Sequence, residues 1–263
     1  MSYPNISPLA SVHPEAKLGE RVIVEPFAFI EHNVEIGDDT IIRSGAVIRS
    51  GARIGRRCEI HSGAIISGIP QDLKFAGEES LAIIGDDCQI RECVTVNRGT
   101  ASRGKTVIGN HCLLMAYAHI AHDCVLGDHI IIGNSSQIAG EVEIDDHAIL
   151  SASVLVHQFS KISQHVMIQG GSRISKDIPP YVLVGRDPIT YCGINIVGLR
   201  RRAFTNEQIY RINEAYRIIY QRGLNTTNAL VAVEREVEES PERDFIIDFV
   251  RSSERGIVRG NMD

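Results

Sequence analysis

The chain has 263 residues, of which 43% are hydrophobic and 23% charged, and its formal net charge at pH 7 is −6. This length allows one extended domain and one small additional domain. The negative charge argues against a general nucleic-acid-binding protein, whose affinity depends on many phosphate contacts. The six cysteines form no CxxC pair, and no apolar stretch near the start is typical of a signal peptide or a membrane span. We therefore expect a protein of the reducing cytoplasm, without nucleic acid as a partner.

A six-residue repeat runs through residues 12–174. Of the 28 positions on every sixth residue, 25 are Val, Leu or Ile, and only Asp72, Glu78 and Ser102 interrupt the series. This period fits neither an amphipathic helix nor the heptad of a coiled coil. It fits short strands, because an even spacing keeps each apolar residue on the same side of a strand, and three strands close a triangular rung. The sequence predicts a rod of roughly nine rungs, about 4.8 Å apart.

The residues between the aliphatic positions also have a pattern. Several glycines directly follow a residue of the repeat, among them Gly37, Gly55, Gly85, Gly109, Gly127 and Gly133. We interpret these glycines and the small or polar residues near them as corner residues, because Gly, Asn and Asp tolerate the positive φ that tight corners need. The pattern resembles the hexapeptide repeat of the left-handed parallel β-helix, found in many acyl- and acetyltransferases. The left hand is implied by this resemblance, because the period alone does not fix it.

Two segments, residues 67–83 and residues 97–107, leave the repeat, which resumes in phase after each of them. Loops that project from a solenoid are where functional groups concentrate. A tolerated insertion is the alternative interpretation.

After Pro180 the six-residue period ends and helical spacing begins. Thr205 and Gln208 form a capping-box signature for a first helix, and a second is predicted from about Thr227 to Glu239. A third should begin at Ser240-Pro241. The predicted organisation is a left-handed parallel β-helix over residues 1–190, followed by a small C-terminal α-helical domain over residues 191–263 that covers the end of the rod.

The chain has ten histidines, most of which we expect on outward faces without a function: His13, His32, His61, His111, His129, His147 and His165. His122 differs because Asp123 follows it near a corner, and an imidazole beside a carboxylate is the usual composition of a general base. Residues eighteen apart occupy the same place on successive rungs, so Gly140 should lie over His122 and leave a backbone N–H open to an oxyanion. The predicted patch comprises His122, Gly140, Glu141, His157 and Gln158.

Six segments occur in the order and with the spacing of one enzyme family: QDLKFAGE (71–78), NRGT (97–100), LLMAYAHIAHDC (113–124), VHQF (156–159), DIPPYV (177–182) and NIVGLRRRAF (195–204). In these segments the chain resembles the UDP-N-acetylglucosamine O-acyltransferases, which catalyse the first step of lipid A synthesis. The resemblance implies a homotrimer with active sites in clefts between neighbouring rods. It implies transfer of a 3-hydroxyacyl chain from acyl carrier protein to the 3-hydroxyl of UDP-N-acetylglucosamine. No metal or resident cofactor is implied, because the phosphopantetheine of the carrier holds the acyl group.

The resemblance also implies a role for individual residues. His122 would be the general base, Asp123 would orient or polarise it, and the backbone N–H of Gly140 would stabilise the oxyanion. The residues implied in substrate binding are Asp72, Lys74, His119, Glu141, His157, Gln158, Asn195 and Arg202.

Two further groups of residues are implied in handling the acyl donor. Arg201 matches a residue on the carrier-protein side. The landing patch for the acidic carrier protein would comprise Arg200, Arg201, Arg202, Arg217 and Lys176. Gly170 matches the position that limits acyl-chain length, and a small residue there predicts a chain of about fourteen carbons or more.

Two residues depart from the family pattern and leave alternatives open. Glu141 replaces a histidine that commonly follows the oxyanion glycine, and Val197 replaces a glutamate, so a 3-amino UDP-sugar stays open as the acceptor. Zinc-dependent carbonic anhydrases have the same type of rod. If this chain were one of them, His119, His122 and His157 would be the zinc ligands. The later N-acyltransferase of lipid A synthesis has an extra domain before its rod, whereas here the repeats begin by Val12, which argues against that alternative. A non-catalytic scaffold is the remaining alternative.

Overall fold

A computed structural model describes residues 5–260, and its main part is a β-helix with three parallel sheets, which we name A, B and C. Each rung contributes one short strand to each sheet. Sheet A contains Asn5–Ile6, Ile23–Val24, Ile41–Ile42, Glu59–Ile60, Gln89–Ile90, Leu113–Leu114, Ile131–Ile132, Ile149–Leu150, Met167–Ile168, Val182–Gly185 and Thr190–Ile194. Sheet B contains Ser11–Val12, Phe29–Ile30, Val47–Ile48, Ile65–Gly68, Thr95–Asn97, His119–Ile120, Gln137–Ile138, Leu155–Val156 and Arg173–Ile174. Sheet C contains Lys17–Leu18, Glu35–Ile36, Ala52–Ile54, Leu81–Ile84, Lys105–Ile108, Val125–Leu126, Glu143–Ile144 and Lys161–Ile162.

Strands of successive rungs pair in parallel and in register. In sheet A, for example, Ile131 pairs with Leu113 on one side and with Ile149 on the other. Among the described strands, only the final pair, Val182–Gly185 with Thr190–Ile194, is antiparallel. The predicted left-handed parallel β-helix is confirmed.

The interior of the rod contains two rows of side chains. The residues of the six-residue repeat point inward, and Ile30, Ile60 and Ile120 are at most 1% exposed. Burying one such side chain contributes roughly 1.5–3 kcal/mol. A second row of buried and mostly smaller side chains lies two residues before most of the repeat positions. Four cysteines belong to this row, namely Cys58, Cys88, Cys112 and Cys124.

The interpretation of the six repeat glycines as positive-φ residues is wrong. The positive-φ corner positions are mostly not glycine, and they include Asp123, His111 and His129. The repeat glycines are needed for space instead. At Gly109, for example, a Cβ atom would lie 2.5 Å from the carbonyl oxygen of Gly127 on the next rung.

The two loops are shorter than predicted and leave the rod along the same edge. Strand pairing continues to Gly68 and resumes at Leu81, so the first loop spans residues 69–80 rather than 67–83. The second spans residues 98–104 rather than 97–107, because Leu81 and Lys105 form an additional pair that lengthens both strands of sheet C. Both loops connect sheet B to sheet C.

Four helices follow the rod: α1 (Ile196–Arg201), α2 (Asn206–Gln221), α3 (Thr226–Glu236) and α4 (Pro241–Ser252). The predicted capping box of Thr205 and Gln208 starts α2, and Ser240 caps α4 with Pro241 in its first turn. The prediction did not include α1. The proposed boundary between residues 190 and 191 falls inside the strand Thr190–Ile194, and the outermost residues of both predicted domains lie outside the described range.

The helices cover the C-terminal end of the rod. Tyr216 of α2 is fully buried, and its hydroxyl donates a hydrogen bond to the carbonyl of Pro180 at 2.6 Å. Residues 5–260 contain no helix that is long and apolar enough to span a membrane.

Candidate active site

The triangular rod has three edges, and the predicted site residues fall on different ones. We name each edge by one residue: the His122 edge joins sheet B to sheet C, the His129 edge joins sheet C to sheet A, and the Gly170 edge joins sheet A to sheet B. Because each edge repeats once per rung, residues on the same edge stack along the rod.

His122 is held by a buried carboxylate. Its Nδ1 lies 2.8 Å from Oδ2 of Asp123, and His122 is 8% exposed while Asp123 is fully buried. The carboxylate fixes the proton on Nδ1, which leaves Nε2 as the proton acceptor.

Asp123 is itself fixed by groups that the sequence analysis did not identify. Its carboxylate accepts hydrogen bonds from the backbone N–H of Thr100 at 3.0 Å, the Thr100 hydroxyl at 2.6 Å and the backbone N–H of Arg103 at 3.1 Å. Burial opposes the charge of Asp123, but the hydrogen bonds from Thr100, His122 and Arg103 outweigh it and lower the pKa of its carboxyl group. The second loop therefore keeps Asp123 ionised. The sequence signal for this contact was the segment NRGT (97–100), which contains Thr100.

Gly140 lies directly over the imidazole, as the eighteen-residue stacking predicts. The backbone N–H of Glu141 donates to the carbonyl of His122 at 3.0 Å, which joins the two rungs. A Cβ atom on Gly140 would lie 2.6 Å from both Cε1 and Nε2 of His122. The N–H of Gly140 donates no hydrogen bond within residues 5–260.

The first loop brings Asp72 back to the same edge. Oδ2 of Asp72 lies 3.9 Å from Nε2 of His122, and Oδ1 accepts the backbone N–H of Lys74 at 2.9 Å. Glu78 accepts the backbone N–H of Ala101 at 2.8 Å and so connects the two loops. The His122 edge therefore has loop residues on both sides of the imidazole.

Three further candidates lie around His122. His119 is half-buried on the outer face of sheet B, and its Nδ1 lies 2.7 Å from the hydroxyl oxygen of Thr95. Burial, with a smaller contribution from His122, lowers the pKa of His119 and favours a neutral ring. Exposed His157 has its Nδ1 2.9 Å from the carbonyl oxygen of half-buried Gln158.

Glu141, which departs from the residue that the resemblance implies, turns toward the second loop. Its carboxylate accepts a hydrogen bond from the hydroxyl of Ser102 at 3.1 Å. Ser102 is also one of the three breaks in the repeat, so the two unusual positions contact each other.

Asn195 and Arg202 are not brought to the His122 edge of the same chain. Arg202 donates to the carbonyl of His147 at 3.1 Å, and Asn195 donates to the carbonyl of His165 at 3.0 Å, so both lie at the His129 edge. Asn195 also caps α1 by accepting the N–H of Gly198. Nη1 of Arg202 is buried without a hydrogen-bond partner, and burial, with a smaller effect of Arg201, lowers the pKa of Arg202.

The remaining candidates lie farther from His122. Arg200 and Arg201 are exposed in the last turn of α1, and Gly170 is exposed on the Gly170 edge. For the zinc alternative, residues 5–260 contain no group of three or more His, Cys, Asp or Glu side chains arranged to hold a metal ion.

A rod of hexapeptide rungs with a carboxylate-oriented histidine on one edge defines a class, the hexapeptide-repeat transferases. Residues 15–50, 33–68 and 105–140 match the bacterial transferase hexapeptide family, and residues 177–258 match the second domain of UDP-N-acetylglucosamine O-acyltransferase. The acyl-[acyl-carrier-protein]–UDP-N-acetylglucosamine O-acyltransferase of Myxococcus xanthus is 46% identical over 97% of this chain and 99% of its own length. Its counterpart from Chlorobaculum parvum is 60% identical over 73% of both chains. The chain belongs to the UDP-N-acetylglucosamine O-acyltransferase family.

Solved structures agree with these sequence relatives. The UDP-N-acetylglucosamine acyltransferase of Bacteroides fragilis superposes with a TM-score of 0.95 and 59% identity, over 96% of this chain and 99% of that chain. The enzyme of Francisella novicida gives a TM-score of 0.94 and 39% identity, over 98% and 95% of the two chains.

Proposed function

We propose that this chain transfers a 3-hydroxyacyl group from acyl carrier protein to the 3-hydroxyl of UDP-N-acetylglucosamine. The observation that carries the proposal is the His122 site, where Asp123 orients an imidazole beneath the free backbone N–H of Gly140. Family membership supplies the donor and the acceptor.

In the proposed reaction, Nε2 of His122 removes the proton of the sugar 3-hydroxyl while the oxygen attacks the thioester carbonyl. General-base assistance of this kind contributes about 10²–10⁴-fold. The N–H of Gly140 stabilises the oxyanion of the tetrahedral intermediate. When the intermediate collapses, the C–S bond breaks and the thiolate of phosphopantetheine takes the proton back from His122. The donor brings its own prosthetic group, so the proposal requires no resident cofactor.

The acceptor would be held by residues from two edges of the rod. Asp72 in the first loop lies beside His122 and accepts the backbone N–H of Lys74, and Arg202 at the His129 edge has a buried guanidinium nitrogen without a partner. A phosphate oxygen of a nucleotide is a suitable acceptor for that nitrogen. Asn195 would act mainly by placing α1, because both of its side-chain polar atoms have partners in the chain.

The separation of the two edges supports a homotrimer. In a cyclic trimer, the His122 edge of one chain can face the His129 edge of the next, which completes the site that one chain leaves divided. The outer face of sheet A offers an apolar surface for a second copy. Its aligned outward residues are Leu113, Ile131, Ile149, Met167 and Leu183.

We place the reaction in the cytoplasm. All six cysteines are free, and Cys192 is exposed. Free thiols are typical of a reducing compartment.

The direct test is acyl transfer from 3-hydroxyacyl carrier protein to UDP-N-acetylglucosamine, with the 3-amino analogue as a parallel acceptor. We expect the hydroxyl acceptor to be preferred. Preference for the amino sugar would change the assigned acceptor and connect it with Glu141. Transfer to neither acceptor, over a range of acyl lengths, would refute the proposed function.

A further inference from the structure

The Arg and Lys side chains of this protein form ion pairs with carboxylates in one part of the rod and not in another. Along the N-terminal half of the rod, arginines lie against carboxylates, as in the pairs Arg21–Asp39 and Arg57–Asp87. Near the last rung, several cations make no ion pair with any carboxylate of residues 5–260. Four of them are Arg173, Lys176, Arg186 and Arg259.

These four residues line one cavity of 740 Å³ at the end of the rod. The cavity is bounded by the last rung, the turn between Val182–Gly185 and Thr190–Ile194, and the C-terminal residues 258–260. Asp187 is the one acidic residue in its lining. We name this surface the C-terminal basic pocket. On a protein with a net charge of −6, the four cations of this pocket create a local positive potential.

The position of the pocket relates it to the proposed active site. Val156 pairs with Ile174 and Ile162 pairs with Ile178, so Lys176 lies in the last corner of the His122 edge, on the rung that follows Gln158. Three rung spacings separate Lys176 from His122, which gives roughly 14 Å. The pocket therefore reaches the His122 edge at Lys176 and extends past Arg173 of sheet B to the Gly170 edge, where the backbone N–H of Arg186 donates to Gln169.

The length of the donor arm fits this distance. Phosphopantetheine has about fourteen bonds between the carrier serine and the sulfur, and an extended chain spans ~3.5 Å for every three bonds, or roughly 16 Å in all. A carrier docked at the pocket would thus present its thioester at His122. Arg200 and Arg201 belong to α1 at the other edge and do not line the pocket.

We propose that the C-terminal basic pocket is the docking site for the acidic surface of the acyl carrier protein around its phosphopantetheine-bearing serine. This inference rests on the proposed function and deepens it, because it assigns the carrier contact to residues other than Arg200 and Arg201. Unpaired cations at the rim of an interface act mainly on association and on its salt dependence.

The test compares two donors of the same 3-hydroxyacyl group, acyl carrier protein and free phosphopantetheine. The variant is the double substitution Arg173→Glu with Arg186→Glu, because neither side chain makes a hydrogen bond or ion pair within residues 5–260. We expect the ratio of kcat/KM for the carrier donor to kcat/KM for the small donor to fall at least about tenfold, through KM for the carrier. The salt dependence of that KM should become weaker.

Two controls separate the possible outcomes. Lys17→Glu makes the same type of charge change at the N-terminal end of the rod and should leave the donor ratio unchanged. Arg200→Glu with Arg201→Glu tests the competing patch. An unchanged ratio in the pocket variant, or a loss found only in the Arg200 and Arg201 variant, would overturn the inference while the proposed function stands. Absence of transfer from both donors in the unmodified protein would instead refute the proposed function, and the docking inference with it.

Discussion

Two edges of the same rod carry histidines, and only one of them has the geometry of a catalytic site. On the His129 edge, the rings of His111, His129, His147 and His165 stack face to face, with centroids 4.7–4.8 Å apart. On the His122 edge, one imidazole is held edge-on by Asp123 and covered by a glycine. Both arrangements follow from the repeat, which places equivalent residues over each other.

The difference lies in what each imidazole contacts. A stacked ring meets other rings on its faces, and neighbouring protonated rings would repel each other. His122 has one nitrogen engaged by a fixed carboxylate and the other directed toward Asp72 in the first loop. A histidine on a β-helix edge is thus a candidate base only where a carboxylate fixes its tautomer and a loop leaves space for substrate.

The first prediction separates the two edges by activity. His122→Ala should lower kcat by about 10²–10⁴-fold because it removes the proposed general base. His111→Asn should change kcat less than about twofold, since asparagine tolerates the positive φ of that corner. Acyl-transfer rates at saturating substrate measure both. Near-normal activity of His122→Ala, or an equal loss in His111→Asn, would remove the distinction between the edges.

The second prediction concerns the pH dependence of stability at the His129 edge. Burial, followed by the charges of His147 and Arg202, lowers the pKa of His165 from 6.5 to about 4, and Asp146 opposes this shift. Because the unfolded chain binds the proton more readily, stability should fall as the pH decreases from about 6.5 to about 4. The loss amounts to at most ~3 kcal/mol from this residue.

His165→Phe tests this effect. Nδ1 of His165 is buried without a partner, and a phenyl ring can keep the stack between His147 and Tyr181. Urea unfolding at pH 7.5 and pH 5 should show a smaller acid loss in the variant than in the unmodified protein. If both lose the same free energy of unfolding, the stacked histidine does not contribute to acid sensitivity.

The third prediction uses one matched substitution on each edge. Gly140→Ala places a Cβ 2.6 Å from the His122 ring and should lower kcat about tenfold with little change in Tm, because the side chain can shift. Gly109→Ala places a Cβ 2.5 Å from the backbone carbonyl oxygen of Gly127 and should lower Tm instead. Thermal unfolding and kcat per folded molecule are measured for both. The reverse pattern would show that Gly140 is needed for packing rather than for the imidazole.

The fold was predictable because the residues of the six-residue repeat are the ones that point into the rod in every rung. The row of small interior residues was not recognised, since alanine, cysteine and serine do not form an apolar pattern, and so the burial of Cys58 was missed. Helix α1 was missed because it has six residues and its start depends on Asn195, which bonds to the rod at His165.

The candidate site was predictable only where the repeat continues. His122 and Gly140 are eighteen residues apart, so their stacking follows from the sequence. The distance between Asp72 and His122 depends on how a loop folds back, and the attachment of Asp123 to Thr100 depends on the second loop. Arg202 lies after the end of the repeat in the chain. Its position at the His129 edge could therefore be found only from the tertiary structure.

The smallest expected effect concerns the third edge, where Gly170 is exposed. A Cβ there would lie 3.0 Å from the carbonyl oxygen of Ala152, so any side chain requires a small adjustment of the backbone. Gly170→Met should shift the preferred acyl chain toward shorter lengths by a severalfold change in kcat/KM ratios, because each methylene in an apolar groove contributes to discrimination. Gly170→Ala is the matched control, since it requires the same backbone adjustment without the long side chain. Donors that differ by two carbons give the measurement. A shift of equal size in both variants would assign the effect to the backbone, and no shift in Gly170→Met would refute the length-limiting role.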